Sequence, residues 1–65
     1  MITVNGTRLE WHEGMTISEV LARMDYTALS LITVFVDGRH VPDTDYDVPV
    51  PDGSEVKAIH IHHGG

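Results

Sequence analysis

The residues with the clearest chemical potential are the last two, Gly64 and Gly65, which follow shortly after a β-branched segment. Glycine has no Cβ, so a Gly-Gly end can extend through a narrow channel and adopt unusual backbone angles. The α-carboxylate of Gly65 is then sterically open to attack. A carboxylate resists nucleophiles until one oxygen becomes a leaving group, for example by adenylation with ATP. Because the chain contains no Gly-rich phosphate-binding loop, the activating enzyme would have to be a partner.

The histidines just before the glycines are a second candidate site. His60 and His62 share one face of an extended strand, so their imidazoles could hold a zinc or nickel ion. A closed site needs further ligands, which His12 or His40 would have to supply through the fold. Histidines that are solvated or that contact an enzyme are the commoner case, so we predict no metal site. The charge of His63 and its neighbours would change at about pH 6–7.

Length and composition exclude several classes of protein. With 65 residues the chain forms one domain at most, and its 42% hydrophobic and 22% charged residues are typical of a globular protein. There is no cysteine, which excludes disulfides and cysteine-ligated zinc. No apolar run is long enough to span a bilayer, and no secretion signal begins the chain. We therefore expect a cytoplasmic protein that does not bind a membrane.

The charge balance indicates which partners are compatible. Ten acidic residues against four Lys and Arg give a formal net charge of −6. Such a surface repels a phosphate backbone, so direct nucleic-acid binding is not expected. It could steer the protein toward a basic protein surface, or it could serve only solubility.

The first half of the chain predicts a hairpin followed by a helix. Alternating residues flank Asn5-Gly6, the pair that favours a tight hairpin turn, and place Ile2 and Val4 opposite Leu9 and Trp11. A capping box then begins a helix of about three turns. The box consists of Thr16 and Glu19, and the apolar stripe consists of Ile17, Val20, Leu21 and Met24.

The second half predicts three more strands. Residues 31–36 are β-branched and aromatic and end at Asp37-Gly38, after which a short arm ends at Pro42. Residues 43–54 read as an irregular acidic loop with inward apolar anchors, which are Tyr46, Val48 and Val50. The last strand runs from Val56 to about Ile61. The order indicates an α+β domain in which one helix covers one face of a mixed sheet of four to five strands.

Taken in order, these motifs resemble the β-grasp, ubiquitin-like sulfur carriers of the ThiS and MoaD family. The resemblance spans the chain through Val4-Asn5-Gly6, Gly14-Met15-Thr16-Ile17 with Glu19-Val20-Leu21, Val36-Asp37-Gly38-Arg39-His40-Val41-Pro42, Asp52-Gly53-Ser54-Glu55-Val56 and Gly64-Gly65. Residues 32–42 and Val56-Lys57 also look like the small archaeal modifier proteins. The resemblance implies one β-grasp domain over residues 1–62 and a flexible Gly-Gly tail at residues 63–65.

The resemblance also implies a mechanism. An E1-like activating enzyme of the ThiF or MoeB type would adenylate the Gly65 carboxylate with ATP and Mg, and a sulfur donor would convert it to a thiocarboxylate. A synthase would accept this sulfur for thiamin thiazole, molybdopterin or tRNA thiolation. Gly64 and Gly65 are then the reacting end, and the carrier binds no cofactor itself. It is a cosubstrate and not an enzyme.

By similarity to the family, the partners dock on the sheet face away from the helix. If Val56 and Ala58 face the core, Ile59 and Ile61 lie outward beside Phe35, and His62 and His63 follow toward the tail. Grouped exposed apolar side chains usually mark a binding site. We therefore predict partner contacts at Phe35, Ile59, Ile61, His62 and His63.

Two alternatives remain at this point. A protein modifier would form isopeptide bonds through Gly65, and Lys57 would be the one internal side-chain amine available for building chains. The third hypothesis is a metal binder that uses the histidines of residues 60–63.

Overall fold

The computed structural model of the protein describes residues 1–26 and 31–60. In these residues five strands and one helix form, and a 3₁₀ turn at Asp43–Asp45 precedes the last strand. The strands are β1 (Ile2–Val4), β2 (Thr7–Leu9), β3 (Ile32–Val36), β4 (Arg39–Val41) and β5 (Glu55–His60), and the helix is α1 (Ile17–Arg23). The predicted order of elements is confirmed. The helices of the described ranges are all too short or too polar to cross a membrane.

The strands form a single mixed sheet with β5 at its centre, in the order β2-β1-β5-β3-β4. β1 pairs with β5 in parallel, and the other neighbours are antiparallel. The two hairpins turn at residue pairs that accept positive φ, with Asn5 at 50° and Asp37 at 51°. The mixed sheet that the order of elements predicts is confirmed, and its arrangement is the β-grasp fold that the resemblance implies.

Helix α1 begins where the capping residues predict but is shorter than expected. The hydroxyl of Thr16 accepts a hydrogen bond from the Glu19 amide at 3.2 Å. The helix has seven residues, about two turns, so the expectation of three turns is wrong. The apolar stripe reaches Met24, which is the C-cap, and Asp25 then adopts a φ of 64° that ends the helix.

The core lies between α1 and the sheet and is entirely aliphatic apart from Met15. Its buried members come from helix α1, from strands β1, β3 and β5, and from the loops before α1 and β5. They are Ile2, Val4, Met15, Ile17, Val20, Leu21, Val34, Val50, Val56 and Ala58. The side chains that the helix period predicted to face inward at Ile17, Val20 and Leu21 are among them.

The acidic loop after β4 is fastened to the helix side of the sheet. Trp11 donates its indole N–H to the Val50 carbonyl at 2.8 Å, and the Val50 amide donates to the Met15 carbonyl at 2.7 Å. Of the predicted anchors, Val50 is buried and Tyr46 is partly buried, but Val48 is 51% exposed. The prediction for Val48 is wrong because the chain turns outward between the two anchors. Trp11 also lies beyond β2, which ends at Leu9.

Candidate functional site

Strand β5 is the element that leads to the terminal glycines, and its register decides which side chains face outward. Val56 and Ala58 are buried at 0% and 5% exposure, whereas Ile59 is 52% exposed. The predicted assignment of the inward and outward faces in β5 is therefore confirmed for these residues. β5 is held in place because it pairs with a strand on each side, β1 and β3.

We call the sheet surface opposite α1 the outer face, defined by Thr33, Phe35, His40, Lys57 and Ile59. Phe35 lies opposite Lys57 on β5 and opposite His40 on β4, while Ile59 lies opposite Thr33. Phe35 and Ile59 are thus diagonal neighbours on one face. The Phe35 ring packs on the His40 ring with centroids 5.6 Å apart, which leaves Phe35 half-buried.

The described histidines do not converge on one point. The ring of His60 lies 5.3 Å from that of Tyr26 on the helix side of the sheet, whereas His40 lies on the outer face. His12 instead contacts Glu19. Within residues 1–26 and 31–60 no group of three or more possible metal ligands comes together. His40 and His12 therefore do not lie beside His60 to complete the site that the sequence left open.

Five of the predicted site residues lie outside the described residues. They are Ile61, His62, His63, Gly64 and Gly65. The predicted domain boundary at residue 62 lies there as well. Their roles therefore stay predictions, and the described residues show only strand β5, which precedes them.

A charged cluster that the sequence reasoning did not identify lies at the start of α1. The imidazole Nε2 of His12 is 2.5 Å from Glu19 Oε2, which also accepts from Arg23 Nε at 3.2 Å. The hydrogen bond to Glu19 raises the pKa of His12 above its ordinary 6.5. The same hydrogen bond lowers the pKa of the Glu19 carboxyl below its ordinary 4.5. The pairing of residues 12 and 19 depends on the path of the loop, so spacing alone could not indicate it.

The first residues of both hairpin turns bind β5, which the sequence also did not reveal. Asn5 donates its backbone N–H to the Val56 carbonyl at 2.9 Å, and its side-chain amide pairs with the backbone of Ala58. Asp37 donates its backbone N–H to the Glu55 carbonyl and accepts from the Glu55 amide, both at 2.8 Å. The only sequence signal was their turn propensity.

Comparison with known proteins shows which family the chain belongs to. A family model described as the ThiS family matches residues 2–65. The chain belongs to the ThiS family. Comparison with curated proteins finds no significant match.

Two solved structures of one thiamine biosynthesis protein from Geobacter metallireducens are similar to this ThiS-family chain. Its crystal structure, named ThiS, matches with a TM-score of 0.76 at 25% identity, covering 98% of this chain and 97% of that chain. A solution NMR structure matches with a TM-score of 0.72 at 25% identity, covering 98% and 86%. The resemblance predicted from the motifs is confirmed. The chain is therefore a ubiquitin-like sulfur carrier of the ThiS type.

Proposed function

We propose that this ThiS-family chain carries sulfur as a thiocarboxylate on Gly65. An E1-like enzyme of the ThiF or MoeB type would use ATP and Mg to join the Gly65 carboxylate to AMP, releasing pyrophosphate. A donor persulfide would then attack the acyl carbon and displace AMP, giving an acyl disulfide. Two thiols of a reductant would cleave its S–S bond and become a disulfide, leaving the thiocarboxylate on Gly65 and the donor as a thiol. A sulfur-accepting synthase would consume the product.

The family match carries this proposal, because it runs through residue 65 and so includes both terminal glycines. Glycine at the terminus also has a steric advantage. A side chain at the last position would crowd the acyl carbon and the channel that admits it.

We propose further that the activating enzyme docks on the outer face. Ile59 exposes half of its side chain there, and the half-buried Phe35 lies diagonally beside it. When a partner covers exposed apolar groups of this kind, their removal from water stabilises the complex. Ile61, His62 and His63 would extend the contact toward the reacting end. The net charge of −6 favours a partner whose rim is basic.

The test is to incubate the protein with a ThiF-type enzyme, Mg-ATP, a persulfide donor and a thiol reductant, and to measure the intact mass. Replacement of one oxygen by sulfur is the expected result, and omission of ATP should prevent it. A related ThiS protein serves as the positive control for the enzyme. If that control is converted and this chain keeps its mass, the proposal is refuted. Residues 58–65 left attached to lysines of other proteins after trypsin digestion would instead indicate a protein modifier, because Lys57 is the last cleavage site before the terminus.

A further inference from the structure

We propose that Asn5 and Tyr26 form a clamp that fixes the end of β5 and so aims the reacting terminus at the activating enzyme. This inference rests on the proposed function. Both would be positioning residues, since neither reaches the reacting carboxylate in the proposal. Asn5 reaches β5 directly, and Tyr26 holds Asn5 and the last residue of the strand.

Asn5 replaces a strand residue that β1 does not provide. β1 pairs with β5 only as far as Val4 opposite Val56, and Asn5 then turns the chain away with a φ of 50°. The side chain of Asn5 continues the pairing to Ala58. Its Nδ2 donates to the Ala58 carbonyl at 3.0 Å, and its Oδ1 accepts from the Ala58 amide at 2.9 Å. Ala58 is 5% exposed, so its backbone groups need such a partner.

Only asparagine meets all the demands at this position. Glycine would adopt the positive φ but would leave Ala58 without a partner. Aspartate would accept from the Ala58 amide but has no N–H for the carbonyl. The second N–H of the Asn5 amide donates to the Tyr26 hydroxyl at 3.3 Å. The geometry therefore uses both donors and the acceptor of the side chain.

Tyr26 ties this contact to the helix and to the end of the strand. Its amide donates to the Leu21 carbonyl at 2.9 Å, which fixes Tyr26 to the last turn of α1. Its ring packs against His60, the last residue of β5, at 5.3 Å and 48°. The final residues of β5 are thus held on the side where β1 has turned away.

The position of the clamp gives it leverage over the terminus. Gly65 follows His60 by five residues, which span at most about 17 Å when extended. When the channel of the activating enzyme holds the tail extended, a tilt of about 10° at His60 would displace Gly65 by about 3 Å. Misplacement by about 1 Å can slow a reaction about a hundredfold. Holding β5 at Ala58 and His60 therefore limits the directions in which the carboxylate is presented.

A matched pair of variants tests the clamp. Asn5→Gly removes the contacts to Ala58, and Asp37→Gly removes the side-chain contact to Glu55 at the opposite end of the same strand. Both substitutions keep a residue that accepts positive φ. Hydrogen exchange of the Ala58 amide should accelerate at least about fivefold in Asn5→Gly, the effect of losing one ordinary hydrogen bond. In Asp37→Gly it should change by less than about twofold.

The rate of thiocarboxylate formation then distinguishes an effect on the presentation of the terminus from an effect on the stability of the fold. We expect kcat to fall about tenfold in Asn5→Gly, with KM for the carrier within about twofold, because the outer face is unchanged. Asp37→Gly should keep kcat within about twofold at a comparable loss of Tm. If Asn5→Gly does not fold, Asn5→Asp keeps the side-chain size, and it should show the same direction of change in kcat.

Three results would overturn the inference. Equal kcat in wild type and Asn5→Gly would show that presentation does not depend on the clamp. An equal fall in kcat for Asn5→Gly and Asp37→Gly would reduce the effect to stability alone. Absence of thiocarboxylate from the wild type would refute the proposed function and the role of the clamp with it, which the first two results would not do.

Discussion

Replacing Ile59 by aspartate should weaken partner binding by about 30-fold or more while leaving the fold intact. Ile59 is 52% exposed, so the substitution removes only about half of the 1.5–3 kcal/mol that complete burial of such a side chain provides. The expected loss in the free energy of unfolding is therefore about 1 kcal/mol. In the complex, however, the partner would cover the half of the Ile59 side chain that is exposed in the free protein.

The effect on binding should be much larger than the effect on stability. Removing a central apolar contact from an interface costs about 2 kcal/mol or more, which is about a 30-fold rise in Kd. The buried aspartate adds a desolvation cost to that loss. The assay is calorimetric titration of the ThiF-type enzyme with each variant, alongside denaturant unfolding of the carrier.

Val48→Asp is the matched control, because Val48 is 51% exposed but lies in the loop before β5. It should lower stability by a similar amount, about 1 kcal/mol, and leave Kd within about twofold. The docking proposal is refuted if Ile59→Asp binds like the wild type, or if both variants lose affinity equally. Unfolding of Ile59→Asp would show that its side chain contributes to the core.

Three further predictions concern the helix cluster, the loop anchor and the terminus. Below pH 6.5 His12 stabilises the fold through Glu19, and this contribution disappears as pH rises through the raised pKa of His12. Above pH 4.5 the Glu19 carboxylate contributes to stability, and this contribution disappears as pH falls through its lowered pKa. The unfolding free energy of His12→Gln should therefore depend less on pH than that of the wild type, both where His12 titrates and where Glu19 titrates. An unchanged pH profile would contradict the pairing of His12 with Glu19. Trp11→Phe should lower the unfolding free energy by about 1–2 kcal/mol, because the Val50 carbonyl loses its donor; denaturant unfolding measures this, and no change would contradict it. Gly65→Ala should leave the Tm unchanged and prevent activation, and normal thiolation of this variant would show that the steric argument is wrong.

Local rules predicted the elements well because each depends on a few neighbouring residues. Asn5-Gly6 and Asp37-Gly38 fixed two hairpins through their positive φ angles, and Thr16 fixed the start of the helix. The alternation in β5 assigned Val56 and Ala58 to the core. In each case a single residue type meets a conformational demand that few others can.

The errors arose where a pattern continues past the element that it describes. The apolar stripe includes Met24, which packs against the core from the C-cap, so the period overstated the helix. Val48 stands between two anchors but faces solvent, because a loop has no fixed period.

The contacts that shape the site are mostly long-range, which no local pattern can supply. Asn5 and Ala58 are 53 positions apart, and His12 reaches Glu19 only through the path of the loop. Their residue types indicate turns and charge in the sequence, and the fold alone determines their partners. Family membership carried the prediction of function further than any single motif did, because it depends on the order of all of them.

The most direct test of the account is fragmentation of the intact, enzymatically treated protein in a mass spectrometer. If Gly65 carries the sulfur, the mass difference between sulfur and oxygen will be confined to the C-terminal fragment that ends at Gly65. The same mass gain on an internal fragment, or an unmodified terminus when a related ThiS protein in the same reaction is converted, would contradict this role of Gly65.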